Sequence, residues 1–319
     1  MRELENIPGN AHIKEKLKSL LQQKELPSPL LFVGPRGVGK EIFARAFGQA
    51  LLAKKQSTAA IRINLRQFEP TGKAIGYPIE QIKEAIKVIL APPFEADRKV
   101  IMISQAELMS PVSANALLKT LEEPPAHSTI LLTSSKKKAL LPTLVSRCFE
   151  LSFYPIADEE LCAYLEQEHG KSAAEARRIS FLAHGELTRA SALAADGEQA
   201  FFDLIAAIGC ALIAKDSLAL QPLLLELDKL VATEPVAHRM ERREEACFAL
   251  FYWYRDLELL QIKQEKAELF FYDHRKQLSQ CLSLPRPSLD EVGEKMEKIY
   301  QALQLHIKLS HALDILSYF

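Results

Sequence analysis

The sequence predicts an α/β domain built on a parallel sheet, followed by two helical domains. In the first half, short apolar runs alternate with amphipathic helical segments, which is typical of parallel strands with helices on both faces of the sheet. After about residue 153 the strand signals stop and the chain is helical to its end. At roughly 100–200 residues per domain, 319 residues allow two or three domains. We expect three: residues 1–153, 154–198 and 199–319.

Three apolar runs in the first part predict buried strands, namely Leu30–Val33, Val100–Ile103 and Ile130–Thr133. The segments between them repeat apolar side chains at helical spacing. They predict helices over residues 11–24, 40–54, 79–90 and 113–123, the last ended by Pro124–Pro125.

The second half predicts helices over residues 158–169 and 172–198, and helices throughout from 200 to 319. Residues 248–260 carry too many aromatic side chains for one helix face, which indicates a buried core. A turn is expected near Leu284–Pro287, and the last helix places Ile299, Leu303 and Ile307 on one face.

Composition excludes several classes of protein. Lys and Arg number 40 and Asp and Glu 41, so the net charge of -1 excludes a strongly basic nucleic-acid coat and an acidic disordered tail. No apolar run reaches membrane-spanning length and the N-terminus has no apolar signal core, so we expect a cytoplasmic protein without a membrane partner. The five cysteines are far apart in sequence, which favours scattered thiols over a zinc site or a disulfide framework.

Residues 34–40 (GPRGVGK) match the phosphate-binding pattern GxxxxGK. Gly34, Gly37 and Gly39 permit a tight loop whose N–H groups point at phosphate oxygens, and Lys40 reaches the terminal phosphates. The context fits, because an apolar strand ends at the loop and a helix begins after it.

Two parts of a hydrolytic site depart from this pattern. Glu41 stands where a hydroxyl residue normally ligates Mg²⁺, and its charge would repel phosphate. Ser104 and Gln105 follow the second strand, where an acidic residue normally helps to hold the metal. Glu107 comes two residues too late and is expected to begin a helical turn. The loop is therefore either a retained structural turn or a weak site for ATP or ADP.

Two further segments are more specific. Asn115–Pro125 (NALLKTLEEPP) resembles a signature of bacterial clamp-loader AAA+ subunits, and Leu141–Cys148 (LPTLVSRC) resembles their LPTIxSRC segment. The resemblance covers about residues 5–153 strongly, and the helical remainder by length and architecture. It implies a P-loop AAA+ domain, a small helical lid domain and a helical collar through which subunits assemble.

In this family the Ser-Arg-Cys segment carries an arginine finger, which the resemblance assigns to Arg147, next to Ser146. A guanidinium that reaches the γ-phosphate of a neighbour's ATP neutralises charge that develops during phosphoryl transfer. Without the surrounding signature, Arg147 would be read as an ordinary surface arginine.

Other family positions are altered. The polar sensor after the third strand corresponds to Ser134 or Ser135. Thr188 stands where the small helical domain normally carries a sensor arginine. The four-cysteine zinc module of some members is not expected, because residues 54–64 contain no cysteine.

The resemblance implies primer–template DNA inside a ring of subunits. Lys83 and Lys87 lie four residues apart on one predicted helix and are candidates for phosphate contacts. The run Lys136–Lys138 is a further candidate. A solvated charged surface explains both features equally well.

These features predict a non-hydrolysing subunit of the DNA polymerase III clamp loader. It would assemble with motor subunits and the delta subunit, act on the sliding clamp indirectly, and supply Arg147 to a neighbouring ATPase. The alternative is an ATP-hydrolysing motor subunit of the same loader. A P-loop kinase for a small substrate would leave the Ser-Arg-Cys segment and the helical second half unexplained.

Overall fold

The structure, a computed structural model, describes residues 2–23, 26–53, 58–71, 76–196, 199–233, 239–264, 267–305 and 307–317. The chain divides into two compact units. The first comprises residues 1–170 and 183–192, and the second comprises residues 171–182 and 193–319. The division into three domains at residues 153 and 198 stays a prediction.

The first unit contains one five-stranded sheet, with strands in the order β2-β3-β4-β1-β5. Every neighbouring pair is parallel. The strands are β1 (Leu30–Val33), β2 (Leu65–Phe68), β3 (Lys99–Ile103), β4 (Ser128–Ser134) and β5 (Phe149–Ser152).

Helices cover both faces of the sheet. Helix α3 (Lys40–Leu52) packs on one face, where Gly48 lets Leu65 and Val100 approach its backbone closely. The next residue of β3, Ile101, belongs to a buried cluster on the other face, formed with α5 (Ile79–Leu90) and α6 (Pro111–Glu122). This alternation follows from the two-residue period of a strand. The predicted α/β class is confirmed.

The sequence predicted three strands, and the two outer strands β2 and β5 were missed. Central strands β3 and β4 are buried along their whole length and therefore read as continuous apolar runs. The outer strands bury only part of their surface and carry polar residues, among them Arg66, Gln67 and Glu150. A strand of four residues with one buried position gives no recognisable period.

The predicted helices of the first unit are confirmed, and the ends of three of them are shifted. Helix α6 begins two residues earlier than expected, because Ser110 caps it by accepting a hydrogen bond from the Ser113 N–H and Pro111 occupies its first turn. The remaining helices are α1 (Arg2–Asn6), α2 (Ala11–Gln22), α4 (Thr58–Asn64), α7 (Pro142–Val145) and α8 (Asp158–His169). Helices α1, α4 and α7 were not predicted.

Among its described residues, the second unit contains helices and no strands. Beyond α9 (Ala173–Ala183) and α10 (Leu187–Asp196), which the division of the chain cuts, they are α11 (Gln199–Ala214), α12 (Ser217–Thr233), α13 (Arg239–Lys263), α14 (Arg275–Cys281), α15 (Leu289–Gln304) and α16 (Leu309–Leu313). The turn expected near Leu284–Pro287 is confirmed between α14 and α15.

The aromatic segment of α13 forms core only in part, because Trp253 and Tyr254 are buried whereas Phe248 is exposed. The Trp253 indole is fully buried and lies against Gly209 of α11, where a Cβ atom would come within 2.5 Å of the ring. The expectation for Ile307 was wrong. Helix α15 ends at Gln304, so Ile299 and Leu303 are buried whereas Ile307 lies beyond the helix and is half-exposed.

Among the described residues, no single helix is long and apolar enough to cross a membrane. One bent pair, Leu187–Ala195 with Gln199–Ala214, meets the length and composition requirement only when its two helices are counted together.

Candidate functional site at the phosphate loop

The phosphate loop joins the carboxyl end of β1 to the first turn of α3, as the sequence predicted. Its path depends on glycine at two close approaches. A Cβ atom on Gly34 would lie 2.5 Å from the Phe153 carbonyl oxygen. Gly37 has a left-handed backbone with φ of +69°, and a Cβ atom there would lie 2.4 Å from a carboxylate oxygen of Glu186. The sharp turn and the contact with the 183–192 segment therefore both require these glycines.

Lys40 points back into its own loop. Its Nζ donates hydrogen bonds to the carbonyl oxygens of Gly34 (2.7 Å) and Pro35 and to the Ser135 hydroxyl (3.2 Å). The residue is 7% exposed. Burial lowers its pKa to about 8, although the charges of Glu107, Glu41 and Glu186 act in the opposite direction. The ammonium group is thus bound by protein oxygens.

Three carboxylates lie around this lysine. Glu107 belongs to a 3₁₀ turn after β3 (Ala106–Leu108), which confirms the predicted helical turn. One of its carboxylate oxygens accepts a hydrogen bond from the Ser135 N–H at 2.9 Å. Its other oxygen is buried without a hydrogen-bond partner among the described residues. Glu41 begins α3, and Glu186 reaches Gly37 from the 183–192 segment.

Lys40 and Glu41 line a cleft of about 700 Å³ within the first unit. Polar lining residues include Arg36, Lys40, Glu41, Gln105, Ser135 and Thr188. Several features of the cleft are unfavourable for a bound nucleoside triphosphate. Glu41 places a negative charge beside the lining cations Arg36, Lys40 and Arg45, and the lysine would have to exchange its carbonyl partners for phosphate. No hydroxyl follows the lysine to ligate Mg²⁺.

The two candidate sensor serines have different positions. Ser135 lines the cleft and accepts a hydrogen bond from Lys40. Ser134 is buried at the end of β4, where its carbonyl oxygen accepts a hydrogen bond from the Gly34 N–H at 3.3 Å. Its hydroxyl accepts one from the Lys136 N–H at 3.2 Å. Only Ser135 therefore faces the site, and Ser134 supports the loop.

Thr188 also lines the cleft, and its N–H donates to the Gly37 carbonyl oxygen at 3.2 Å. The first unit thus includes the segment that the sequence comparison assigned to the sensor of the lid domain. Thr188 has a hydroxyl where the resemblance places a guanidinium. A phosphate group in the cleft would therefore lack that positively charged partner.

Arg147 lies at the amino ends of the parallel strands, whereas the phosphate loop lies at their carboxyl ends. Arg147 precedes β5, whose first residue Phe149 is in register with Leu30 at the start of β1, whereas the phosphate loop follows the end of β1. The four residues of β1, at ~3.3 Å each, separate the amino and carboxyl ends of the sheet by more than about 13 Å. Because the strands are parallel, Arg147 lies far from its own chain's cleft and does not line it.

Two groups fix the guanidinium. Nε donates to a Glu122 carboxylate oxygen at 2.8 Å, Nη2 contacts the same oxygen, and Nη1 donates to the Thr143 carbonyl oxygen at 2.7 Å. The side chain stays 31% exposed. Ser146 is exposed, and its hydroxyl donates to the Thr143 carbonyl oxygen at 3.2 Å, so it serves the local turn.

The lysines named as candidates for contacts with DNA phosphates are spread over the surface of the first unit. Lys83 and Lys87 are exposed on α5, but Glu80 and Glu84 are exposed on the same helix and dilute the positive charge. In the run 136–138, Lys137 forms an ion pair with Glu150 at 2.5 Å. None of these lysines lines the phosphate-loop cleft.

Sequence reasoning missed three groups. Glu186 had no motif of its own, and only its place beside Thr188 could have drawn attention to it. Glu122 was part of a recognised signature but had no assigned role. Cys210 and Cys281 are distant in sequence, yet their sulfur atoms lie 3.4 Å apart in the second unit.

No group of three or more His, Cys, Asp or Glu side chains among the described residues could hold a metal ion. Part of the stretch compared with the zinc module, residues 54–57, lies outside the described residues.

The strand–GxxxxGK–helix unit in a parallel sheet defines the first unit as a P-loop nucleotide-binding-type domain. Comparison with known proteins narrows this class. Residues 9–157, just under half of the chain, match the family described as DNA polymerase III, delta subunit. Together with the NALLKTLEEPP and LPTLVSRC segments, this match makes the first unit similar to subunits of the DNA polymerase III clamp loader.

Curated relatives carry clamp-loader names. DNA polymerase III subunit tau of Escherichia coli is 30% identical over 193 residues, which cover 56% of this chain and 30% of that protein. DNA polymerase III subunit delta' of Pseudomonas aeruginosa is 29% identical over 134 residues, covering 38% of this chain and 41% of that protein. The matched region thus spans less than half of either relative.

Among solved structures, a DNA polymerase III gamma subunit-related protein from Thermotoga maritima superimposes with a TM-score of 0.42 at 19% identity. The superposition covers 95% of this chain and 97% of that one.

Proposed function

We propose that this chain is a delta-prime-like subunit of the DNA polymerase III clamp loader that does not hydrolyse ATP. In this role it completes the ATPase site of a neighbouring motor subunit with Arg147. It thereby supports loading of the sliding clamp onto primer–template DNA. Its partners are motor subunits and the delta subunit in a hetero-oligomeric ring, and its contact with the clamp is indirect.

One observation carries the proposal: Arg147 lies at the amino ends of the strands of one parallel sheet, and the phosphate loop lies at their carboxyl ends. A finger acts on phosphate bound by another chain, so its best place is a surface remote from its own loop. Arg147 meets this requirement, because it is partly exposed and oriented by two hydrogen-bond acceptors.

The chemistry of the cleft supports the absence of hydrolysis. Lys40 donates hydrogen bonds to loop carbonyl oxygens, the Glu41 carboxylate lines the cleft, and no hydroxyl ligand follows the lysine. Each feature lowers affinity for a triphosphate and its metal ion. We therefore expect weak nucleotide binding or none.

Several relatives named tau or gamma favour a second candidate, the ATP-hydrolysing motor subunit. Titration of the isolated full chain with Mg²⁺-ATP and with ADP by calorimetry separates the two. We expect no saturable heat below about millimolar nucleotide, equivalent to less than ~4 kcal/mol of binding. Micromolar binding accompanied by phosphate release would establish the motor subunit instead.

A further inference from the structure

The helical second unit brings two cysteines together that are 71 positions apart in sequence. Cys210 lies on α11 and Cys281 ends α14, and their Sγ atoms are 3.4 Å apart. Both are free thiols. A disulfide bond is ~2.05 Å long, so a relative approach of about 1.4 Å would join them.

The pair contains a nucleophile and a resolving group. The hydrogen bond between the two thiols lowers the pKa of Cys281 against the effect of burial, and the positive charge of Arg286 adds to the lowering. The same interaction raises the pKa of Cys210, which keeps its proton. A thiolate is the form of cysteine that peroxides oxidise.

We propose that Cys210 and Cys281 form a dithiol site that hydrogen peroxide converts to an intramolecular disulfide. The Cys281 thiolate attacks one oxygen of the peroxide, the O–O bond breaks, and the departing hydroxide takes a proton to leave as water. This step gives a sulfenic acid on Cys281. Cys210 loses its proton and attacks that sulfur, the S–O bond breaks, and a second water leaves. The two thiols lose two electrons and the peroxide gains two.

Access and packing suit a small oxidant. Cys281 is 4% exposed, whereas Cys210 is half-buried and forms the outer side of the pair. Helix α14 has seven residues and packs on α11, so a small shift of one short helix closes the bond. The disulfide would join two packed helices and constrain the unfolded chain over a long loop.

The other cysteines provide the controls. Cys148 donates to the Leu144 carbonyl oxygen and burial raises its pKa to about 12. Burial likewise raises the pKa of Cys247 to about 12. Neither is expected to react. Cys162 is half-buried on α8 and belongs to the first unit.

The test is treatment of the full-length reduced chain with hydrogen peroxide, followed by non-reducing digestion and mass spectrometry. We expect one cross-linked peptide pair containing Cys210 and Cys281, a rise in melting temperature of about 5 °C or more, and reversal of both by dithiothreitol. Cross-links confined to other cysteines, or both thiols still alkylated after treatment, would overturn the proposal.

Variants assign the order of the steps. In Cys210→Ser, Cys281 should accumulate sulfenic acid that dimedone traps, whereas in Cys281→Ser the remaining Cys210 should stay reduced. The matched control Cys162→Ser should form the same cross-link as the unchanged protein. If either variant fails to fold, the peptide map of the unchanged chain still decides the result.

Discussion

At the scale of single residues, Lys40 has an environment different from that of an open phosphate loop. Protein oxygens already accept its hydrogen bonds, and the carboxylates around it maintain its charge against burial. Glu107 contributes most to this compensation. The sequence identified the lysine and the missing metal ligands. It could not reveal that Glu107, displaced along the chain, returns through a 3₁₀ turn to the same site.

Substitution Glu107→Gln should lower the pKa of Lys40 below its value of about 8, because it removes the largest charge that raises that pKa. The glutamine oxygen can still accept the Ser135 N–H bond. The measurement is the pH dependence of Lys40 acylation, followed by mass spectrometry, and its midpoint should move to lower pH. Glu84→Gln, on the exposed face of α5, is the control that should leave the midpoint unchanged. An unchanged midpoint would show that Glu107 does not act on this lysine.

At the scale of elements, the 183–192 segment and the phosphate loop form one packed structure. Thr188 and Glu186 contact Gly37, and the Gly185 carbonyl oxygen accepts a hydrogen bond from Ile156 at 3.0 Å. The GxxxxGK pattern predicted the loop because it requires special residues at fixed spacing. The contact with residues 183–192 could not be predicted, since it depends on a return of the chain that no local pattern encodes.

Two glycines test this contact. Gly37→Ala and Gly170→Ala both place a Cβ on a left-handed backbone, with φ of +69° and +62°, but only Gly37 has a neighbour within 4 Å. We expect Gly170→Ala to reduce the free energy of unfolding by ~1 kcal/mol and Gly37→Ala by ~2–3 kcal/mol. Urea denaturation of the two variants measures the difference. Equal losses would mean that Glu186 does not restrain the loop.

A second element-scale contact joins α11 to α14. His274 is buried, with one ring nitrogen 2.8 Å from the Asp203 carboxylate and the other 2.8 Å from that of Asp273. Burial alone would lower its pKa, but the two carboxylates outweigh burial and raise it. Since the folded-state pKa is raised, the stabilisation is complete below about pH 6.5 and is lost as pH rises through the raised value.

His274→Gln should therefore cost more stability in acid than in base. We expect a loss larger by about 1 kcal/mol at pH 5.5 than at pH 9, because only the protonated ring forms charge-assisted bonds with both carboxylates. Urea denaturation at the two pH values measures it. His311→Gln, in α16, is the control. A loss independent of pH would contradict the protonated state.

At the scale of the whole molecule, the chain combines a phosphate loop that lacks the usual metal ligands with a partly exposed arginine at the amino ends of the strands. The sequence predicted the parallel sheet, its central strands and most helices, because buried runs and helical periods are local signals. The outer strands and the Arg147–Glu122 contact depend on partners distant in sequence and had no such signal. The proposed role of Arg147 comes from the resemblance to clamp loaders, and its position at the amino ends of the strands comes from the structure.

The most direct test of the central proposal is the ATPase rate of a loader reconstituted with a tau- or gamma-type motor subunit, primer–template DNA and this chain. Arg147→Ala should reduce hydrolysis at the completed site by ~10³-fold or more while the complex still assembles on a sizing column. Lys16→Ala, which removes an exposed cation of α2, should leave the rate unchanged. An assembled Arg147→Ala complex with an unchanged ATPase rate would contradict the assignment of the finger.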